Sequence, residues 1–199
     1  MKIMSIKTLL LAVVVLSASA FTAVTVENYK ASVEKSTITW KGYKVTGQHA
    51  GTVNLKSGDL EFNGDQLAGG SFAIDMTSIT VTDLKGEYKG KLEGHLKSPD
   101  FFGVDKHPTA TFVITRVIPK GTPGDYKVIG NMTIKNITKE IKFFANVKNV
   151  NGQKVAKADL VIDRSDYDVR YGSGSFFDNL GDKTIYDEFD ISIEMVAGK

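Results

Sequence analysis

The sequence predicts an all-β fold of about eight antiparallel strands, and three of its features support this. Apolar and polar residues alternate over many short segments, which is the pattern of strands with one buried face. Asn63-Gly64 and Asn151-Gly152 lie between such segments, and Asn-Gly is the strongest short-range signal for a hairpin turn. The segments recur at regular spacing, which is typical of a closed barrel or a sandwich. Periodicity alone does not choose between these two architectures.

The alternating segments follow one another along most of the chain. The first begins at Ile38 and Trp40, and Gly47 and Gly51 are expected to interrupt the next. In the later segments, the residues expected on the inward face are Leu60 and Phe62; Phe72, Ile74 and Met76; Ala110, Phe112 and Ile114; Val128, Gly130, Met132 and Ile134; Ile141, Phe143, Ala145 and Val147; Ala156, Ala158, Leu160 and Ile162; and Phe189, Ile191, Ile193 and Met195.

One segment has helical rather than strand periodicity. Apolar side chains recur every four residues at Leu84, Tyr88, Leu92 and Leu96. This spacing predicts a short amphipathic helix between Asp83 and Ser98, with Thr82 or Asp83 as its cap and Pro99 at its end. Glycines at the same spacing weaken the helix, and would let it approach the barrel wall closely across one end; they are Gly86, Gly90 and Gly94.

The first 23 residues have the pattern of a secretory signal peptide. Lys2 and Lys7 precede the apolar run Thr8–Leu16, and Ala18-Ser19-Ala20 is a cleavage-type site, with Ala23 as an alternative end. The run is shorter than the ~20 residues that a membrane span needs. The sequence therefore predicts a cleaved leader over 1–23, one domain over 24–199, a periplasmic or secreted location and no stable membrane insertion. An uncleaved membrane anchor is the alternative interpretation.

Charge and composition argue against several classes of function. Without the leader the chain carries equal numbers of basic and acidic residues, so nothing favours nucleic-acid binding. It has no cysteine and hence no disulfide. His49, His95 and His107 fit no zinc-binding spacing, so no metal site is expected. No Gly-x-Ser-x-Gly element is present, and the protein is not expected to be an enzyme.

Two motifs resemble those of a known family. The first runs from Leu92 to Phe112 and combines two turn signals, two adjacent aromatic residues and the start of a strand. It resembles the signature of the YceI-like proteins at Gly94, His95, Leu96, Ser98, Asp100, Phe101, Phe102, Val104, Pro108, Ala110 and Phe112. The second, Asp163–Gly172, is similar to another signature of that family, but has Asp168 where a glycine is usual, which puts the local turn geometry in question. The resemblance covers Ser36 to Met195.

The resemblance implies a fold and a ligand. YceI-like proteins are secreted bacterial barrels of lipocalin-like shape that hold a polyisoprenoid or another lipid. The expected fold is therefore an eight-stranded antiparallel lipocalin-like β-barrel with one short helix. The expected ligand is a polyisoprenoid of the quinone or polyprenyl phosphate type, with no other cofactor, and a homodimer is plausible. Transport, storage and stress protection are all compatible with this binding.

The resemblance also implies where the ligand lies. The residues expected to line its site are Trp40, Phe72, Ile74, Met76, Leu96, Phe102, Phe112, Ile114, Phe143, Leu160, Ile162, Phe189 and Ile191. His49, His95 and Arg164 are candidates for the head group, because arginine suits phosphate and carboxylate groups. The alternatives are a rim or packing role for the histidines and a structural pair between Arg164 and Asp166. Two other functions remain open: an enzyme acting on a lipid-like amide or ester at the barrel mouth, and a ligand-free structural or interaction barrel.

Overall fold

The computed structural model describes residues 25–199, which form nine β-strands, one α-helix and two short 3-10 helices. The predicted leader, residues 1–23, lies outside the described residues. The elements are β1 (Val26–Ala31), β2 (Thr37–Lys44), β3 (Gly47–Asn63), β4 (Gln66–Val81), α1 (Gly86–Lys97), β5 (Thr109–Pro119), β6 (Asp125–Ile134), β7 (Ile137–Val150), β8 (Gln153–Asp163), the 3-10 helices Arg164–Tyr167 and Gly181–Lys183, and β9 (Ile185–Gly198).

Strands β2 to β9 close into a ring. Their order is β3-β2-β9-β8-β7-β6-β5-β4, and β4 pairs back onto β3. Strand β1 pairs with the second half of β3, with Tyr29 opposite Leu60, and reaches β9 at Ala31. Strand β2 pairs only with the first half of β3. Strands β1 and β2 therefore lie beside different halves of the same neighbour, and the nine strands occupy eight strand positions in the barrel wall. Because the sheet closes on itself, the architecture is a barrel and not a sandwich. The predicted eight-stranded antiparallel barrel is confirmed.

The predicted Asn-Gly turns are present at one end of the barrel, which we call the turn end. Gly64, between β3 and β4, has φ +58°. Asn151 and Gly152 both have positive φ, +51° and +80°, between β7 and β8. Two consecutive residues with positive φ are typical of a type I′ turn, whose twist matches that of the strands it joins.

Gly47 lies at the break between β2 and β3, whereas the prediction that Gly51 interrupts a segment is wrong. Strand β3 runs from Gly47 to Asn63 without a break. A Cβ atom at Gly51 would lie 1.9 Å from the carbonyl oxygen of Thr80 and 2.6 Å from the Trp40 ring. Gly51 is therefore needed for the close approach of β4 and of the tryptophan, which is one of the reasons for a glycine inside a strand.

Helix α1 lies at the opposite end, which we call the helix end. It begins after Lys85, which caps it without a side-chain hydrogen bond, and ends before Pro99 as predicted. The predicted caps are wrong, because the Thr82 hydroxyl and the Asp83 carboxylate bond to β3 instead.

Apolar packing and hydrogen bonds both hold α1 against the barrel. Leu96 is buried, whereas Tyr88 of the predicted apolar stripe is exposed. The Glu93 carboxylate accepts hydrogen bonds from the Thr80 hydroxyl at 2.5 Å and from the Val81 N–H at 2.8 Å. These hydrogen bonds lower the pKa of Glu93, so the ionised carboxylate anchors the helix to β4.

The helix glycines make no close contact with the wall. A Cβ atom at Gly86, Gly90 or Gly94 would meet nothing within 4 Å. The expectation that these glycines allow a close approach is therefore wrong. Gly86 has φ +57°, a left-handed conformation that glycine adopts readily, and it lies at the first position of the helix.

Candidate functional site

An apolar cavity of about 210 Å³ lies inside the barrel. Its wall is built by the inward rows of the strands, because side chains alternate between the two faces of a sheet. All thirteen apolar residues expected from the sequence contribute to the lining: Trp40, Phe72, Ile74, Met76, Leu96, Phe102, Phe112, Ile114, Phe143, Leu160, Ile162, Phe189 and Ile191. Their role in ligand binding stays a prediction.

The cavity has further lining residues that the site prediction missed. They include Ile38, Val53, Leu55, Met132, Ile134, Ile141, Ile193 and Met195. Most of them belong to the same alternating rows, so the signal was present in the sequence. Choosing among the members of a row needed the lengths of the strands and their register, which decide how deep each side chain lies.

The turn end of the barrel is closed by buried side chains. Tyr29, Phe62 and Leu67 belong to one buried cluster there. Lys154 is only 4% exposed, and its Nζ atom lies 4.4 Å from the centre of the Phe62 ring and 5.1 Å from that of Tyr29. An ammonium group over aromatic faces is stabilised by the ring quadrupoles. These side chains fill the interior of the barrel at this end.

At the helix end, part of the cavity lining is exposed to solvent. Tyr186 contributes to the cavity wall, yet is 52% exposed. Gly42 and Tyr43 line the cavity beside it, and a Cβ atom at Gly42 would meet nothing within 4 Å. Phe102 packs edge-on to Phe189, with ring centres 6.5 Å apart, next to this opening. We expect a ligand to reach the cavity here, and call the part of the lining formed by Gly42, Tyr43 and Tyr186 the entrance.

Arg164 is buried at the helix end, with 2% of its side chain exposed. Its Nη1 atom donates to the carbonyl of Val169 at 2.7 Å, and its Nη2 atom to that of Ile185 at 2.9 Å. Its Nε atom donates to the carbonyl of Tyr186 at 3.2 Å, and Nη2 lies 3.2 Å from Asp187 Oδ1. The guanidinium group thus ties the chain that follows β8 to the start of β9.

These contacts bear on the predicted roles of Arg164. The alternative pairing with Asp166 is wrong, because Asp166 pairs with Lys139 at 3.5 Å. Burial lowers the pKa of Arg164, and the charges of Asp187 and Asp163 oppose that shift. A head-group role for Arg164 stays a prediction, although its donors are already bound to the protein.

The two histidines predicted near the head group lie at the helix end but are not part of the cavity lining. His49 Nδ1 is 3.0 Å from Asp83 Oδ2, in a pair that is partly exposed. The His95 ring packs on Tyr171, with centres 4.3 Å apart, and on Phe101, with centres 5.6 Å apart. His95 Nε2 is buried without a hydrogen-bond partner in the described structure. Their head-group role stays a prediction.

Asp168, where the family pattern has glycine, keeps the conformation of a glycine. Its φ and ψ are 57° and 36°, in the left-handed region. Aspartate is one of the few residues that tolerate this region. The departure from the pattern therefore leaves the turn after β8 intact.

Among residues 25–199, no helix is long and apolar enough to cross a membrane. The same residues contain no group of three or more His, Cys, Asp or Glu side chains arranged to hold a metal ion.

A closed ring of eight strand positions around an apolar cavity defines a lipocalin-like barrel with an interior site. The chain belongs to the family of the YceI-like domain, whose family model matches residues 29–197.

Curated relatives support this membership. A UPF0312 protein of Pectobacterium atrosepticum is 34% identical over 76 residues, which are 38% of this chain and 38% of the relative. A UPF0312 protein of Pseudomonas aeruginosa is 42% identical over 76 residues, which are 38% of this chain and 39% of the relative. The chain thus spans about two fifths of the length of the curated relatives it matches.

Solved structures share the fold. Burkholderia cenocepacia BcnA has a TM-score of 0.69 at 23% identity, covering 84% of this chain and 99% of that chain. A polyisoprenoid binding domain from Saccharophagus degradans, implicated in plant cell wall breakdown, has a TM-score of 0.61 at 14% identity, covering 85% of this chain and 97% of that chain.

Proposed function

We propose that the protein binds one long apolar lipid, a polyisoprenoid with an uncharged head group, inside the barrel, and carries it through the periplasm without chemical change. The observation that carries this proposal is the cavity, whose wall consists almost entirely of apolar side chains. Each methylene group that leaves water for such a site contributes about 0.8 kcal/mol, so a long chain binds tightly without any polar contact. The polyisoprenoid binding domain from Saccharophagus degradans, which shares the fold, supports this choice of ligand.

The lining is adaptable, which a long ligand requires. A cavity of about 210 Å³ is smaller than the roughly 300–1,000 Å³ of ligand pockets in general. All three methionines of residues 25–199, Met76, Met132 and Met195, line it. Methionine is unbranched and changes conformation easily, so these side chains can move aside for an isoprenoid chain.

The charges around the cavity favour an uncharged head group. Arg164 and Lys157 are the two cationic residues of the lining. The Arg164 guanidinium is bound to three carbonyl groups and to Asp187, and Lys157 pairs with Glu194 at 2.8 Å. A phosphate held inside would lack a free counter-charge, and an unpaired buried charge is costly. A quinone or an alcohol fits better than a polyprenyl phosphate.

Trp40 allows a direct test, because it is the one tryptophan of the chain and lines the cavity. A short-tail benzoquinone added to the mature protein is expected to quench its fluorescence in a saturable way, at one quinone per chain. Farnesol and farnesyl phosphate, which differ only in the head group, then compete with the quinone. We expect farnesol to displace the quinone at a concentration at least tenfold lower than farnesyl phosphate does.

The results separate three interpretations. Saturable quenching that farnesol reverses supports the proposal. Stronger competition by farnesyl phosphate would contradict the uncharged head group and favour a phosphate-binding site. Quenching that does not saturate, together with a ligand-free mass in native mass spectrometry after incubation with a long-chain quinone, would favour a barrel filled by its own side chains.

The periplasmic location rests on the leader pattern of residues 1–23 and is tested separately. We expect the protein released from the periplasm to have an intact mass that lacks the residues up to Ala20 or Ala23. A full-length mass in the membrane fraction would favour the uncleaved anchor.

A further inference from the structure

Four aromatic side chains are exposed at the helix end, within the chain that joins β8 to β9 and at the start of β9. They are Tyr171, Phe176, Phe177 and Tyr186, with exposed fractions between 38% and 52%. We call this group the aromatic rim. Single exposed apolar residues are ordinary, but several aromatic residues in one segment mark an interaction surface.

The segment that carries the aromatic rim is held by its own hydrogen bonds. Ser173 is fully buried, and its carbonyl accepts from the N–H groups of Phe176 at 3.2 Å and Phe177 at 3.1 Å. The N–H of Ile185 donates to the carbonyl of Gly172 at 2.8 Å. Because the backbone is fixed in this way, the phenylalanine side chains are presented to solvent rather than packed into the barrel.

The aromatic rim adjoins the entrance of the cavity. Tyr186 belongs to both, since it lines the cavity and is half exposed. Its carbonyl is held by Arg164, which also holds the carbonyls of Val169 and Ile185 on either side of the segment. A surface that the rim contacts is therefore brought directly against the entrance.

A surface groove of about 590 Å³ runs beside the rim. Its apolar lining consists of Pro99, Tyr171, Phe177 and Leu180. Its charged lining consists of Lys135, Arg170, Lys183, Asp100 and Asp168. Arg170 pairs with Asp168 and stacks on the Phe176 ring at 4.9 Å. Lys135 Nζ donates to the Asp168 carbonyl, so Lys183 is the cation of the groove that is not held in this way. The carboxylates of Asp178 and Asp182 in the same segment are also exposed.

We infer that the aromatic rim docks on the interfacial region of a phospholipid bilayer, with the rings among the head groups and Lys183 near the lipid phosphates. Aromatic residues favour this region of a bilayer, and cationic side chains are attracted to anionic lipids. The inference rests on the proposed function: a lipid that enters from a docked bilayer reaches the cavity without crossing water.

The test measures flotation of the mature protein with vesicles of phosphatidylcholine and phosphatidylglycerol. The double variant Phe176→Ser/Phe177→Ser removes two rings of the rim. Phe144→Ser is the matched control, because Phe144 is 63% exposed but lies on the outer wall in β7. We expect the double variant to bind at least tenfold more weakly than the parent, since the burial of one phenylalanine already changes affinity by about that factor, and the control to bind like the parent.

A quinone titration of the same variants in solution separates this inference from the proposed function. If the cavity binds quinone, the double variant is expected to be quenched as the parent is, because Phe176 and Phe177 are not part of the cavity lining. Vesicle binding that depends on the rim supports docking even if no variant binds quinone. Equal flotation of the double variant and the parent overturns the inference. A rim-dependent dimer that does not float with vesicles also overturns it, and assigns the surface to a second copy of the chain.

Discussion

Replacing Arg164 by methionine distinguishes a guanidinium that supports the fold from one that binds a head group. The substitution leaves the carbonyl groups of Val169, Ile185 and Tyr186 without their donor, and removes the charge opposite Asp187. Breaking a buried ion pair from one side costs about 3–5 kcal/mol. This is a large part of the roughly 5–15 kcal/mol by which a domain is stable. In a domain of this size it lowers Tm by about 6–20 °C.

The assay is thermal unfolding followed by circular dichroism. Asp187→Asn keeps an acceptor at this position, and we expect it to lower Tm less than Arg164→Met does. Quinone affinity can therefore be measured on a folded variant. Arg164→Met/Asp187→Leu removes both charges and is expected to recover part of the loss, because an apolar pair leaves no buried charge alone. A shift in Tm below 2 °C for Arg164→Met, together with at least tenfold weaker ligand binding, would refute the structural role.

Three further predictions concern the cavity, the wall and the helix end. Ile114→Trp is expected to block quinone binding while the protein stays folded. Val113→Trp, at an exposed position of the same strand, is expected to leave binding intact. Equal quinone affinities of the two variants would show that the ligand lies elsewhere. Gly130→Ala places a Cβ atom 2.5 Å from the Phe112 ring and from a backbone carbonyl. We therefore expect the free energy of unfolding, measured in urea, to fall by about 1–3 kcal/mol. An unchanged midpoint would contradict this contact. Burial lowers the pKa of His95, with the charge of Asp100 opposing the shift. The unfolded chain therefore binds a proton more readily at this histidine, so the contribution of His95 to stability is constant above about pH 6.5 and becomes unfavourable as the pH drops below that value. His95→Phe is expected to flatten this part of the stability profile, and an identical slope in the variant would assign it to another group.

The amino-acid sequence by itself determined which residues face inward. Alternation of apolar and polar residues is a local property of an extended chain, and it identified the row from Ala156 to Ile162 and the row from Phe189 to Met195 without any knowledge of their neighbours. The Asn151-Gly152 turn was also readable, because the required positive φ angles favour these residue types. The turn at Lys135 and Asn136 was not readable in this way. Both residues have positive φ, but lysine gives no signal for that conformation.

Only the tertiary structure decided how these pieces meet. The pairing of β9 with β2 closes the barrel, and it joins two strands that are distant in the sequence by backbone hydrogen bonds that carry no sequence signal. The partners of Arg164 lie on both sides of a connection of about twenty residues, so no local pattern could show that Asp187 rather than Asp166 pairs with it. Gly42, Tyr43 and Tyr186 line the same part of the cavity although they come from chain segments distant in sequence. Local patterns report the environment of each face, whereas a cavity and its opening depend on the space left when all the faces have packed.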